Sequence, residues 1–482
     1  FIMPNMRKGD IVENIFVETM AAEGKCVGKV DGQVIFLEGG APGDYVDAEL
    51  TKIKSSFLEG KVTQIRKFSE NRAEPFCVHF GLCGGCSWQH ISYETQLEYK
   101  QKQVTDNLER LGGLQLPSVN PIFPSAKTRF YRNKLDYTFS ALRWFTKAEL
   151  DLRSAKPDEL TPEPALGYHM PRKYDRVFDV VECHLQGDPS NAIRLAVRDE
   201  ATRESIPFFD LRKQIGFLRT LTIRSANTGE LMVILQVTYD KMEWIEKILM
   251  RLERDFPKIT SFQYVINGKK NDTFADLNIV CWKGKPYITE KMQKPDGSGS
   301  IEFRVGPKSF YQTNSDQAYE LYRLAWKMAK LKKNELVYDL YTGTGTIANF
   351  VASDAKKVVG LEYVKEAIED AKVNSRVNGI TNTDFYAGDI KDLLNDEFLS
   401  IHGRPDVIIT DPPRAGMHED VTQMIVKASP ERIVYVSCNA ATQARDLKIL
   451  TAHYDIEEVQ PVDMFPHTMH VENIVSLVKK RG

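Results

Sequence analysis

A chain of 482 residues exceeds what one hydrophobic core ordinarily serves, so two or three domains are expected. Its 42% apolar and 27% charged residues suit a water-soluble globular protein, and no apolar run reaches the roughly 18 residues that span a bilayer, which excludes membrane insertion. A net charge of −2 excludes a uniformly basic nucleic-acid coat, and seven cysteines, an odd number at low density, point to metal binding or catalysis rather than a disulfide framework.

The first residues, "FIMPNMRKGD", lack a charged stretch followed by an apolar one, so a cytoplasmic chain is expected. From about Gly9 to Lys67, runs such as "GQVIFLEG" and "DYVDAELTKI" alternate apolar and polar residues between Gly-Gly and "APGD" turns. They predict the short strands of an OB-like β-barrel, set as residues 1–67. Between Thr51 and Arg72, six basic residues (Lys52, Lys54, Lys61, Arg66, Lys67 and Arg72) outnumber Glu59 and Glu70. With Phe57 and Phe68 interleaved, this face suits a phosphate backbone as well as plain solvation. The loop "CVHFGLCGGCSW" then sets Cys77, Cys83 and Cys86 in a C-x5-C-x2-C spacing that three thiolates can share at one metal centre. The fourth ligand is open between Cys183, Cys26 and Cys281, or His79 or His90 in a zinc site. A C-x3-C-x2-C radical-enzyme triad is excluded by the spacing.

Helical spacing of Tyr93, Leu97, Val104, Leu108 and Leu111 predicts a helix over 93–113 that packs on the catalytic domain. Residues 68–296 read as a mixed α+β central domain, with strands in "KLDYTFSALRWF", "LTIRSA" and "LMVILQVTY" and a helix in "DKMEWIEKILMRLERDF". The turn-rich tract "QKPDGSGS", 293–300, reads as a linker. Beyond it, over 297–482, strands alternate with helices, as in a Rossmann-like α/β domain with parallel strands. The strands are "ELVYDLYT", "KVVGLEYV", "PDVIITDPP" and "RIVYVSCN", and two last runs joined by "PHTMH" predict an antiparallel hairpin.

Gly343 and Gly345 in "DLYTGTGTIANF" let the backbone approach a ligand. About 20 residues on, Glu362 ends the next strand, where a carboxylate can hold two ribose hydroxyls, which points to a nucleoside-bearing cofactor. Asp389 and Asp411 end two further strands at the same edge. Each acid alone suits a helix cap or a turn. Together, Gly-x-Gly, Glu, Asp and Asp-Pro-Pro resemble the S-adenosylmethionine-dependent methyltransferases more than the dehydrogenases. Arg414, where amino-methylating enzymes place an aromatic residue, turns the reading away from amines.

Methylating uracil C5 calls for a thiolate that adds at C6, then a base that removes the C5 proton. Cys438 ends one strand and Glu472 opens the last. With "TDPPRAGM", "VYVSCNAATQARDL" and "HTMHVENIVSL", the sequence resembles the RNA (uracil-5-)-methyltransferases. That resemblance implies Cys438 as nucleophile and Glu472 as base. It implies S-adenosylmethionine contacts from Gln312, Tyr341, Gly343, Glu362, Asp389 and Asp411, and a substrate-orienting Arg414. The barrel looks like the TRAM domain of the ribosomal RNA branch, which implies 23S ribosomal RNA as substrate. The resemblance also implies a [4Fe-4S] cluster on Cys77, Cys83, Cys86 and Cys183, despite an insertion around "FTKAELDLRSAKPDELTPEPAL" that lengthens the gap before Cys183.

The target uridine must be unstacked, and "KTRFYRNK" offers Lys127, Arg129, Arg132 and Lys134 with Phe130 and Tyr131 as stacking groups, to which "HMPRKYDR" adds charge. The rivals are the same reaction on transfer RNA, disfavoured by the barrel and the cysteine cluster, and a non-catalytic iron–sulfur RNA-binding assembly factor, against which the Cys438 and Glu472 pair speaks. A monomer is expected.

Overall fold

Inward-facing Ile15, Val17, Ile35, Leu37, Val46, Ala48, Leu50 and Leu58 occupy alternate strand positions, and burying them together rolls the first segment into a closed five-stranded barrel. The computed structural model describes residues 6–21, 24–154, 156, 161–170 and 175–481. The barrel strands are Ile11–Met20, Cys26–Val30, Gln33–Glu38, Tyr45–Ile53 and Phe57–Lys67. Gly28 stands where the first two strands slip register, and a Cβ there would lie 2.6 Å from the Phe16 carbonyl oxygen.

The central part is a seven-stranded sheet running in space from Ile279–Gly284 through Ile259–Ile266, Leu231–Val237, Leu218–Ser225, Lys134–Ser140 and Ala165–His169 to Val177–Asp179. All seven residues of "LMVILQV" are buried because the strand is covered on both faces. Val233 and Leu235 pack with Ile245, Ile248 and Leu249 of the helix Met242–Asp255. Met232 and Ile234 face the other way, into a core shared with the carboxy-terminal sheet.

That second seven-stranded sheet runs Thr383–Ala387, Lys357–Glu362, Leu336–Leu340, Val407–Thr410, Arg432–Ser437, Glu472–Lys479, Tyr454–Val462. The first five strands are parallel, and the last strand of the chain inserts antiparallel between the fifth and its own hairpin partner. The loops at the carboxyl ends of the parallel strands thus meet the start of Glu472–Lys479 at one edge.

The tract 293–300 is the turn of a hairpin whose strands, Ile288–Gln293 and Ser300–Val305, pair from Gln293 with Ser300 to Ile288 with Val305. Gly, Pro, Asp and Ser suit a tight turn as well as a linker, and the apolar alternation of "ITEKM" and "IEFRV" on either side decides for the turn. The predicted helix runs as Tyr93–Asp106, with Asn107–Leu111 continuing as a wider turn before Gly112. Its Val104 and Leu108 are fully buried in the core formed by the carboxy-terminal sheet.

Candidate active site

The strand register brings the two ends of the carboxy-terminal motifs together. Ser437 pairs with Asn473, so the next residues outward on adjoining strands are Cys438 and Glu472. Cys438 sits in a tight bend between Ser437, whose hydroxyl accepts from the Asn439 amide, and Asn439, whose side chain caps the helix Ala440–Leu450. Asp411 follows the neighbouring strand, its amide donating to the Leu340 carbonyl at 3.3 Å.

Burial pushes the Glu472 carboxyl up to about 8, with the Asp411 charge adding to the rise and Arg414 opposing it. Burial also lifts Asp411 to about 7. The Cys438 thiol is raised to about 11 by burial and then by Glu472 and Asp411, while the Arg414 guanidinium pulls it down. Arg414, within electrostatic reach of this group, makes a 2.7 Å contact to His470 Nδ1, and its carbonyl accepts from Asn439 Nδ2 and Thr442 Oγ1. His470, lowered to about 4 by burial and by Arg414, stays neutral and so accepts from the guanidinium. Nothing in the sequence singles out His470, because its partner stands 56 positions earlier.

The other strand ends build a cradle beside this pair. Tyr341 has φ 62°, a left-handed conformation that a bulky side chain rarely adopts, directly before the glycine loop. Gly343 offers open space around its Cα and its amide donates to Glu362 Oε2 at 3.1 Å, while Glu362 Oε1 accepts from Val364. Gly345, at φ 74°, is obligatory, since a Cβ would lie 2.8 Å from Ala371. Asp339, missed in the sequence, is fully buried beneath the loop. Its Oδ2 accepts from Thr342 Oγ1 and the Ala348 amide, its Oδ1 has no partner, and burial raises it to about 7. The signal was an acid one residue before the end of an apolar strand. The Gln312 side chain lies near the buried Tyr322 hydroxyl and lowers its pKa, against burial and the charges of Asp411, Asp339 and Glu472, which raise it. Asp389 caps the short helix Ile390–Leu393 and is half-buried, paired with Lys391 at 3.4 Å.

The loop leading to Glu472 is gripped from the amino-terminal half. Lys100 and Asp463, both wholly buried, pair at 2.6 Å, and Tyr93 donates to Asp463 at 2.7 Å. Gln96 receives the His467 amide, and the His467 carbonyl accepts from the amides of Ser87 and Trp88 in the cysteine loop.

The comparisons with known proteins bear on this geometry. Residues 278–480 match the family model described as tRNA (Uracil-5-)-methyltransferase, and residues 12–63 match the TRAM domain. A Bacteroides thetaiotaomicron protein named an uncharacterized RNA methyltransferase is 54% identical over 95% of this chain and 99% of its own length. The chain belongs to the RNA uracil-5-methyltransferase family. A Chlorobaculum tepidum protein, also named an uncharacterized RNA methyltransferase, is 38% identical over 97% of this chain and 96% of its own. Among solved structures, Pyrococcus abyssi tRNA (uracil-54, C5)-methyltransferase in complex with S-adenosyl-L-homocysteine is 27% identical, with a TM-score of 0.73 over 97% of this chain and 100% of that one. Because a tRNA enzyme superposes on nearly the whole chain, barrel included, the barrel does not separate ribosomal from transfer RNA substrates.

The methyltransferase places its four expected metal ligands around one cavity. Cys77, Cys83, Cys86 and Cys183 all line it, and all are free thiols. Burial raises Cys83 to about 12 and Cys86 to about 11, with the neighbouring thiols adding to each. Among the described residues no group of three or more His, Cys, Asp or Glu is disposed as a metal site. The donor chemistry nonetheless fits a thiophilic centre with four thiolates. His79 does not offer itself, since its Nε2 accepts from the Val181 amide at 3.0 Å. His90 is turned to the barrel, its Nε2 on the Gly40 carbonyl. Cys26 lies in the barrel core, and Cys281 stands on a strand of the central sheet, away from the four.

Of the expected RNA contacts, Arg129 is exposed and lies 3.9 Å over the Phe76 ring, and Arg132 lies 5.5 Å over Phe465, one residue before the grip on Pro466. Lys134 pairs with Asp136, and Lys127 with Asp316. Phe130 is exposed, but Tyr131 is buried with its hydroxyl on the Pro466 carbonyl, so it offers no stacking face; alternation along the strand entry turns it inward. Residues 171–174 of the basic run "HMPRKYDR" and most of "SAKPDEL" lie outside the described residues.

Proposed function

We propose that the protein methylates C5 of a uridine in RNA, with S-adenosylmethionine as methyl donor and 23S ribosomal RNA as the substrate. The observation that carries this reading is the placement of Cys438 opposite Glu472 on adjoining strands, next to Asp411 and under Arg414. S-adenosylmethionine supplies an electrophilic methyl group on a positively charged sulfur, which complements a cradle of acids. Gln312, Tyr341, Gly343, Glu362 and Asp411 would hold it, with Asp389 at the rim.

At rest the thiol and Glu472 are both pushed toward their protonated forms, so the pair carries little net charge while awaiting substrate. As the thiol and the Glu472 carboxyl give up their protons to water, addition of the Cys438 sulfur to uracil C6 makes C5 nucleophilic towards the donor's methyl group, the neutral thioether being the leaving group. Once C5 carries the methyl group, Glu472 accepts the C5 proton and the sulfur leaves C6, restoring the ring. Arg414, fixed on neutral His470, would favour the negative charge that develops on the ring. Cys77, Cys83, Cys86 and Cys183 would hold a [4Fe-4S] cluster that shapes the loop rather than reacts, since the chemistry needs no electron.

The same reaction on transfer RNA is the second reading, favoured by the likeness to the Pyrococcus abyssi enzyme. Ribosomal and transfer RNA from a strain lacking the gene, incubated with the protein and labelled donor, test both. Label in 5-methyluridine of 23S RNA supports the first reading, label in transfer RNA alone replaces it with the second, and label in neither contradicts both.

A further inference from the structure

A cleft of about 900 Å³ opens between the barrel and the cysteine loop, apart from the acidic strand ends. On the barrel side Phe68 is 66% exposed, and the Arg72 guanidinium lies 5.3 Å over its ring. Arg72 is immobilised by Asp44, which is wholly buried: Nε lies 3.0 and 3.1 Å from the two carboxylate oxygens and Nη2 donates at 2.8 Å. On the loop side Phe80 stacks on His90, with centroids 5.3 Å apart and planes tilted by 31°. His90 is pinned in turn by the 2.7 Å bond from Nε2 to the Gly40 carbonyl, back across to the barrel.

Each wall therefore presents a flat, preset π surface; of the two charged side chains that line the cleft, Arg72 is already met by Asp44, and the exposed Glu74 disfavours an anionic ligand inside it. Such a space suits a planar, uncharged aromatic ligand. The strand that leads into Phe68, Phe57–Lys67, carries Lys61, Arg66 and Lys67, and Lys52 and Lys54 stand on the strand before it and the turn between them. Lys52 and Arg66 are paired with acids, whereas among the described residues Lys54, Lys61 and Lys67 have no carboxylate at salt-bridge distance.

We propose that this cleft receives an unpaired nucleobase of the RNA substrate, held between the Phe68–Arg72 and Phe80–His90 walls while Lys61 and Lys67 follow the adjoining phosphates. This rests on the RNA reading above and adds a second hold on the strand, away from the target uridine. Stacking without base-edge contacts tolerates any base and fixes register along the strand.

The test uses the full chain and a fluorescein-labelled single-stranded RNA 12-mer of mixed sequence, with affinity measured by anisotropy at several salt concentrations. Phe68→Ala and Phe80→Ala should each weaken binding by about tenfold with the salt slope unchanged, since no phosphate contact is lost. Phe80→Tyr, which keeps the ring, should bind as wild type does. Lys67→Ala should weaken binding and reduce the slope by about one. A 4-thiouridine version of the RNA should crosslink within residues 68–90. Unchanged affinity in both Phe→Ala proteins, or crosslinks confined to other segments, overturns the cleft proposal while leaving the RNA reading intact. If wild type binds no RNA at any salt concentration, both fall.

Discussion

Two groups of cysteines in this molecule sit in opposite surroundings. Cys438 stands alone at a strand end, within electrostatic reach of two carboxylates and one guanidinium, whereas Cys77, Cys83, Cys86 and Cys183 line a single cavity. Burial raises the thiols in both places. Around Cys438 the opposing charge is an arginine on a neutral histidine, so the sulfur can be made reactive without being trapped. Around the other four, thiols chiefly face thiols, and only a bound cation would hold them as thiolates together. The environment, more than the residue type, separates the thiol proposed as nucleophile from the four proposed as ligands.

The comparison is broken most severely at Cys438. Cys438→Ala should lower turnover by about three orders of magnitude or more while leaving donor binding and the thermal midpoint close to wild type, as calorimetry and a tritium-transfer assay will read. Glu472→Gln should cost about 10²–10⁴ in turnover and let the protein–RNA adduct accumulate, visible on a denaturing gel.

The same residue carries a pH signature. Glu472, Asp411 and Asp339 have folded values of about 8, 7 and 7, above the ordinary carboxylate range. The folded state thus binds protons that the unfolded chain has released. The stability they contribute is full below the unfolded carboxylate pKa and is lost as pH rises through about 7 to 8. The thermal midpoint of the donor-free protein should fall over that range, and Glu472→Gln should recover about 2–4 °C of it at pH 8.5. kcat/KM should climb over the same range, because the base acts ionised.

The cysteine loop and the catalytic loop are coupled through the Lys100–Asp463 pair and the Ser87 and Trp88 amides on His467. Lys100→Met leaves a buried carboxylate unpaired and should cost about 3–5 kcal/mol in denaturant unfolding. Cys83→Ser should abolish any visible iron–sulfur absorbance and lower RNA affinity, with turnover at saturating RNA changed least of all. A turnover loss as deep as that of Cys438→Ala would erase the distinction between the two sites.

Much of the site was legible because its residues fall at strand ends, where a change from apolar to small polar residues marks the functional edge: Cys438, Asp411 and Glu362 are of this kind. What the sequence left hidden depends on pairing across long separations. The register that sets Cys438 opposite Glu472, the insertion of the last strand, and the Lys100–Asp463 and Arg414–His470 contacts all join distant segments. The 293–300 tract misled for a different reason, since turn chemistry is common to hairpins and linkers. Tyr131 did so because charge around an aromatic says nothing of which face it turns to water.

The most direct test of the central claim is mass spectrometry of the complex formed with 5-fluorouridine RNA and S-adenosylmethionine, where the fluorine at C5 cannot be removed as a proton and the adduct persists. The expected result is a methylated nucleotide attached to the peptide containing Cys438, absent in Cys438→Ala. Attachment at another cysteine, or methylation of ordinary RNA by Cys438→Ala at the wild-type rate, would contradict it.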